Sequence, residues 1–147
     1  MRLDLKNLIG LDGTTPTFAQ TFGITFDQGV EWAEQGLEMA RQGQLGEARV
    51  ILEGLVTLNP RSPGYWYALG AIYEEQELAD DAIQAFTQVI QRDVRNTEAL
   101  LRLGVLQLKR GDVAGVETLR KVTKDTRSEN ASLVARAKSI LSVSKAA

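Results

Sequence analysis

Residues 63–96 read PGYWYALGAIYEEQELADDAIQAFTQVIQRDVRN, and this stretch decides the fold. Trp66, Leu69, Gly70 and Tyr73 recur at spacings of one, three and four, and Ala82 and Phe86 stand four apart. These are the spacings of one helix face. Asp80 and Asp81 suit the first turn of a second helix, where carboxylates meet the positive end of the helix dipole. The pattern returns one period of 34 residues to either side. Gly36, Gly70 and Gly104 share a phase; Trp32, Trp66 and Leu100 precede them by four, and Ala48, Ala82 and Val116 follow them by twelve. Asn59-Pro60 closes the first unit, and Asp93-Val94 holds the same place in the second. A repeat of this length is one supersecondary unit that must stack on its copies to bury its apolar face.

By phase the units are 29–62, 63–96 and 97–130. In the first, a helix is expected from about Asp27 to Gln42, with Asp27 as N-cap and Gly43 ending it. A second helix carries Leu45, Ala48, Ile51, Leu52, Leu55 and Val56 on one face and stops at Asn59-Pro60. In the second unit the two helices are expected to cross where Gly70 meets Ala82, with Trp66, Tyr73 and Phe86 filling the space around them. The third unit keeps Leu100, Leu103, Gly104 and Gly111. It places Val116 where a small residue is expected and Arg120 where an aromatic is expected, which predicts a shifted or looser second helix. A last helix, about Ser128 to Ser144, offers Leu133, Val134, Ala137, Ile140 and Leu141 on one face and reads as a cap, with Ser128 or Asn130 at its N-terminus.

Residues 1–26 differ from the rest. Leu3, Leu5, Leu8 and Ile9 are followed by a break at Gly10, Gly13 and Thr14-Thr15-Pro16, then by Phe18, Phe22, Ile24 and Phe26. The segment reads as a cover for the open end of the array, as a self-association surface that would make a homodimer, or as both. The organisation is thus 1–26 N-terminal extension, 27–127 repeats, and 128–147 capping helix and tail.

Composition removes whole function classes. The 147 residues include no cysteine and no histidine. Disulfides, thiolate metal sites and cysteine nucleophiles are therefore out of reach, and so is the commonest general base and metal ligand. There is no glycine-rich phosphate loop. We assign no catalytic residue, no metal site and no cofactor, and expect a protein that is not an enzyme. Net charge is −2, and the late basic residues Lys109, Arg110, Arg120, Lys121, Lys124 and Arg127 lack interleaved aromatics, so no nucleic-acid partner is expected. Charges at Arg2, Asp4 and Lys6 interrupt any leader-like apolar run. No stretch reaches the roughly eighteen apolar residues of a membrane span. The expectation is a cytoplasmic protein with no membrane partner.

The W-x2-L-G-x2-Y…A-x3-F…P logic resembles the tetratricopeptide repeat (TPR). The resemblance implies an all-α TPR solenoid of three helix-turn-helix repeats with an N-terminal extension and a C-terminal capping helix. It also implies that the first helix of each pair lines a concave face that binds other proteins. Facing that groove would be Val30, Ala33, Leu37 and Ala40, then Gly64, Tyr67, Ala71 and Glu74, then Glu98, Leu101, Val105 and Leu108. These positions predict a shallow apolar channel with Tyr67 at its middle, unless the N-terminal segment or the last helix covers it. Repeats that clamp acidic tails use lysine, arginine and asparagine, whereas Ala33, Leu37 and Ala68 stand at three of those places here.

In the stretch from Gly43 to Asp93, which contains ILEGLVTLNPRSPGYWYALGAIYEEQELADDAIQAFTQVIQRD, the order Leu52, Leu55, Leu58, Asn59, Pro60, Tyr65, Trp66, Leu69, Gly70, Tyr73 is similar to the class II chaperones of bacterial type III secretion. That resemblance implies a chaperone that holds an extended apolar segment of a client protein. The groove residues would be Leu37, Tyr67, Ala71, Leu101, Val105 and Leu108, and dimerisation would run through the N-terminal region. The alternative is a scaffold or adaptor in a bacterial secretion, pilus or polarity assembly that binds a folded partner.

Overall fold

The computed structural model describes residues 23–146. Most of the N-terminal extension, including the self-association surface expected there, lies outside the described residues. Among those described, seven α-helices follow in order: α1 (Phe26–Arg41), α2 (Leu45–Leu58), α3 (Pro63–Glu75), α4 (Ala79–Arg92), α5 (Thr97–Lys109), α6 (Ala114–Thr123) and α7 (Ala131–Ala146), with a 3-10 turn over Ser128–Asn130 before α7. Each helix packs on the next in the chain; α1 also touches α3, and α5 touches α7. The described residues are therefore three helix pairs stacked in sequence, closed by a seventh helix.

Starts and stops repeat with the pairs. The first helix of each pair carries a side-chain cap: Thr25 on α1, Ser62 on α3 and Asn96 on α5. The α1 cap is reciprocal. Gln28 N–H donates to Thr25 Oγ1 at 3.2 Å, and Thr25 N–H donates to Gln28 Oε1 at 2.9 Å. Asp27 therefore lies inside the first turn, and Thr25 is the cap, because its hydroxyl sits outside the helix where it accepts the orphan N–H. The second helices α2, α4 and α6 have no side-chain cap. Each follows a tight turn closed by the same backbone bond: Gln44 N–H to Met39 O, Leu78 N–H to Tyr73 O and Asp112 N–H to Gln107 O, all 2.9 Å. That turn needs one left-handed residue. Gly43 and Gly111 supply it with φ of 82° and 77°, and Glu77 holds the same slot with φ 59°.

Packing within each pair turns on one glycine. A Cβ on Gly36 would stand 2.4 Å from Leu52 Cδ2, one on Gly70 2.9 Å from the Phe86 ring, and one on Gly104 2.7 Å from Leu119 Cγ. Gly70 thus receives Phe86, not Ala82 as the spacing suggested. The hollow left by a missing side chain is filled by a large one, which keeps the interior at crystal-like density. Phe86, Leu52 and Leu119 are all fully buried.

The third pair is not loose; it is slipped by one residue. Gly115 and Leu119 stand eleven and fifteen after Gly104, where the second pair has Ala82 and Phe86 twelve and sixteen after Gly70. Val116 and Arg120 are thereby rotated off the contact. A Cβ on Gly115 would lie 2.7 Å from Gly104 O, so the two backbones nearly touch. Leu119 and Val122 are both 0% exposed. Leu133, Ile140 and Leu141 of α7 pack on the cluster that they form with Leu100, Leu101 and Ala137. The expected caps of the last helix do not act as such. Asn130 instead gives its side-chain amide to Asp125 Oδ2 at 2.8 Å.

Arginines tie each pair to the turn before it. The Pro60 carbonyl accepts Trp66 Nε1–H at 2.8 Å and Arg92 Nε–H at 2.6 Å, and Arg92 lies 5.7 Å over the Trp66 ring. In the third pair the Arg95 carbonyl accepts Arg127 Nη2–H at 2.7 Å. Trp32 has the phase of Trp66 but remains 36% exposed.

Two predictions follow from this frame. Glutamate in a left-handed backbone costs about 1–2 kcal/mol that glycine avoids. Glu77→Gly is expected to raise the unfolding free energy by about 1 kcal/mol in urea titrations, and Gly43→Ala and Gly111→Ala to lower it by a similar amount. The second concerns alkali. Burial first, and then the hydrogen bond that Tyr73 Oη–H donates to Glu53 Oε1 at 2.9 Å, push the Tyr73 phenol up to about 12 from 10.0. The folded chain then keeps a proton that the unfolded chain releases near pH 10.0. Stability present below that pH is lost as pH rises toward 12. Unfolding free energies across this window should fall less steeply for Tyr73→Phe than for the wild type.

Candidate functional site

Helices α1, α3 and α5 present one face, here called the inner face. Two hollows lie along it. The first, of about 370 Å³, is lined by Leu37, Ala40 and Arg41 from α1, by Ala71, Ile72 and Glu75 from α3, and by Arg102 from α5. The second, of about 270 Å³, is lined by Glu74 of α3, by Glu98, Leu101, Arg102 and Val105 of α5, and by Leu133 and Arg136 of α7. Arg102 belongs to both and stands between them.

The centre of this face is a charged cluster on an aromatic bed. Arg102 Nη1 meets Glu74 Oε2 at 2.6 Å and Nη2 meets Glu98 Oε1 at 3.3 Å. The guanidinium lies 5.6 Å from the Tyr67 ring centroid and 6.0 Å from that of Phe86. Those two rings meet edge to face at 5.7 Å and 67°. Arg102 is thus held between two carboxylates and within cation–π reach of two rings. Burial, and then the hydrogen bond with Glu98, push the Tyr67 phenol well above its ordinary value. Burial alone would pull Arg102 down; the Glu74 and Glu98 carboxylates and Tyr67 outweigh it and keep the guanidinium charged.

The six residues that the sequence singled out do not end up together. Leu37 and Ala71 share the first hollow, and Leu101 and Val105 the second. Tyr67 is half-buried beneath Arg102, between the two. Leu101 is only 2% exposed, because α7 lies against this part of α5. Leu108 lines neither hollow and faces α6, where a Cβ on Gly115 would approach its Cγ to 2.8 Å. The face is therefore not a uniformly apolar channel: two hollows with apolar walls flank a polar bridge. Arg102, the residue common to both, was missed. Its signal in the sequence is the Glu98–Arg102 spacing, an i,i+4 pair in the favourable order.

Among the described residues, no helix is long and apolar enough to cross a membrane.

The family model described as tetratricopeptide repeat matches residues 34–93 and again 73–115, together more than half of the chain. Peroxisome biogenesis protein 5 of Arabidopsis thaliana is 38% identical over 72 residues, which are 49% of this chain and 10% of that protein. The chain thus spans about a tenth of the length of this curated relative. Solved structures share the fold. A T3SS complex from Aeromonas hydrophila has a TM-score of 0.83 at 21% identity, covering 89% of this chain and 89% of that one. The Yersinia enterocolitica type III secretion chaperone SycD, in complex with a peptide of the translocator YopD, has a TM-score of 0.77 at 18% identity, covering 83% of this chain and 95% of that one.

The Arg102 cluster makes its own prediction. Arg102→Met keeps the aliphatic stem over the rings and removes the charge. It should lower the unfolding free energy by about 1 kcal/mol at low salt. The loss should shrink at high salt, where the ion pairs are screened. Urea titrations at two ionic strengths measure both.

Proposed function

The chain belongs to the tetratricopeptide repeat family, and on that premise we propose that its inner face is a groove for an extended peptide of a client protein. The protein is then a non-enzymatic chaperone of the type III secretion class II kind, working in the cytoplasm. The observation that carries this reading is the pair of hollows either side of Arg102. An extended strand places alternate side chains on one face. Apolar anchors of such a strand fit Leu37, Ala40, Ala71 and Ile72 on one side and Val105, Leu133 and the Leu101 floor on the other. Arg102, Glu74 and Glu98 offer hydrogen bonds to the backbone between them. The fold likeness to SycD, whose structure contains a peptide of the translocator YopD, supports the same reading.

One observation favours a second reading, a scaffold that binds a folded partner. Outside the inner face, Trp32, Val50, Ile51, Gly54 and Leu58 line an apolar hollow of about 260 Å³, and Val50 is 66% exposed. A folded surface could seat there without an extended strand.

Substitutions separate the two. A short synthetic peptide with leucine at alternate positions, followed by fluorescence anisotropy, is expected to bind the wild type. Leu37→Glu and Ala71→Glu should each weaken it by about tenfold or more, which is about 1.4 kcal/mol, with unchanged circular dichroism. Val50→Glu should leave it unchanged. Binding that survives both inner-face variants would overturn the groove reading, and loss confined to Val50→Glu would favour the scaffold.

A further inference from the structure

The late basic residues take no part in the inner face, yet the fold gathers several of them around a third hollow. It lies between the α4–α5 turn and the end of α6, measures about 280 Å³, and has Val94, Arg95, Leu100, Lys121, Lys124 and Arg127 on its walls. It shares no lining residue with either inner-face hollow.

Its frame is built from a closed hydrogen-bond network. Arg127 grips Asp125 with two prongs, Nε–H to Oδ1 at 3.1 Å and Nη2–H to Oδ2 at 2.7 Å. The same Nη2 reaches the Arg95 carbonyl at 2.7 Å and Thr97 Oγ1 at 2.9 Å. Asp125 also accepts from the Thr97 hydroxyl and from Asn130. This network pins the α4–α5 turn to the α6–α7 turn and spends Arg127 against Asp125. Three cations remain. Arg95, Lys121 and Lys124 are exposed, and none of them is in an ion pair. Between them Leu100, 7% exposed, and Val94, 69% exposed, give an apolar stretch of wall beside Thr97, Thr126 and the Asp125 carboxylate that Arg127 holds.

The wider charge distribution sharpens the contrast. Residues 27–93 carry twelve acidic and four basic side chains, whereas residues 94–147 carry eleven basic and five acidic. A net charge near zero hides a strongly polarised molecule whose positive end holds this hollow.

We propose that this hollow docks an acidic segment of a partner protein, with carboxylates on Arg95, Lys121 and Lys124 and one aliphatic side chain against Val94 and Leu100. Three unpaired cations around an apolar wall complement carboxylates flanking a leucine or valine. Nucleic acid fits less well. The hollow has no aromatic lining on which a base would stack, and an extended polyanion would run onto the acidic half of the same molecule. A second copy is the rival occupant. Glu38, Glu53, Glu74 and Asp80 of its acidic half pair with arginines of their own chain, but Glu31, Glu34 and Glu47 stand exposed, so the test includes self-association.

The test uses the full chain and a synthetic peptide Asp-Glu-Leu-Glu-Asp carrying a neutral fluorophore. Comparison probes are its amide counterpart Asn-Gln-Leu-Gln-Asn and an oligothymidylate of equal charge. The acidic peptide should bind, and bind more weakly as salt rises. Lys121→Glu with Lys124→Glu should weaken it by about tenfold or more. Lys138→Glu with Lys145→Glu, which makes the same change in net charge, should weaken it less than about twofold. Four results would each overturn the proposal: equal binding of the amide peptide, equal loss in the two double variants, tighter binding of the oligonucleotide, or no binding of the acidic peptide, in which case sedimentation showing self-association abolished by the Lys121 and Lys124 changes marks a second copy as the occupant.

Discussion

At every pair crossing a glycine of the first helix takes a large apolar side chain of the second, Gly36 with Leu52, Gly70 with Phe86 and Gly104 with Leu119. The contact seats a large side chain where a Cβ would otherwise stand, and it fixes the rotation of the two helices about their own axes. Once that rotation is set, the remaining faces of α1, α3 and α5 have no choice of direction. One stripe of each packs against the preceding pair, and another is left to form the inner face. The position of Tyr67 over Phe86, and so the aromatic bed under Arg102, is an indirect product of the same crossing. Phe86 fills the hollow of Gly70 and also meets the Tyr67 ring edge to face.

Much of this was legible because spacing determines it. A period of 34 residues, a helical face in each half-period and a turn signal between halves suffice to name the three helix pairs among the described residues and to expect another helix after them. What spacing does not carry is contact identity. Counting put Val116 and Arg120 at the third crossing, because counting assumes equal turns. The α5–α6 turn is equal as far as its closing bond, but the start of α6 is tighter. Val113 is already in the right-handed helical region where Gln44 and Leu78 are not, Gly115 and Val116 N–H bond to Asp112 O and Val113 O three residues back, and Gly115 and Leu119 take those places. Small-then-large at a spacing of four, as in Ala48-Leu52 and Ala82-Phe86, is the pattern to follow, and Gly115-Leu119 obeys it. The site was less legible for a related reason. Helical phase names the residues that point toward a face, but it does not say which neighbouring element will cover them. Leu101 points correctly and is buried by α7. Arg102 stands one position off the expected stripe, yet its length carries its charge across to Glu74.

Charge organises the molecule along its length as apolar contact organises it across. The acidic first two pairs and the basic third pair meet at α3–α5, where Arg102 is shared by the Glu74 and Glu98 carboxylates. The middle of the inner face thus carries one net negative charge, between an acidic half over residues 27–93 and a basic half over residues 94–147. A strand lying along it would feel a direction as well as a set of pockets, since its own termini and charged side chains would favour one orientation.

The arginine latches have a consequence for how the array opens. Arg92 holds the turn at Pro60, and Arg127 holds the turn at Arg95, each from the far end of the following pair. Every latch points backward along the chain. Loss of the last helix exposes Leu101 and Val122 but leaves the second pair's grip on the first intact. Loss of the first pair, by contrast, leaves Trp66 and Arg92 without their shared acceptor. The stack should behave as a one-way zipper, yielding stepwise from its C-terminal end and giving way more cooperatively from its N-terminal end.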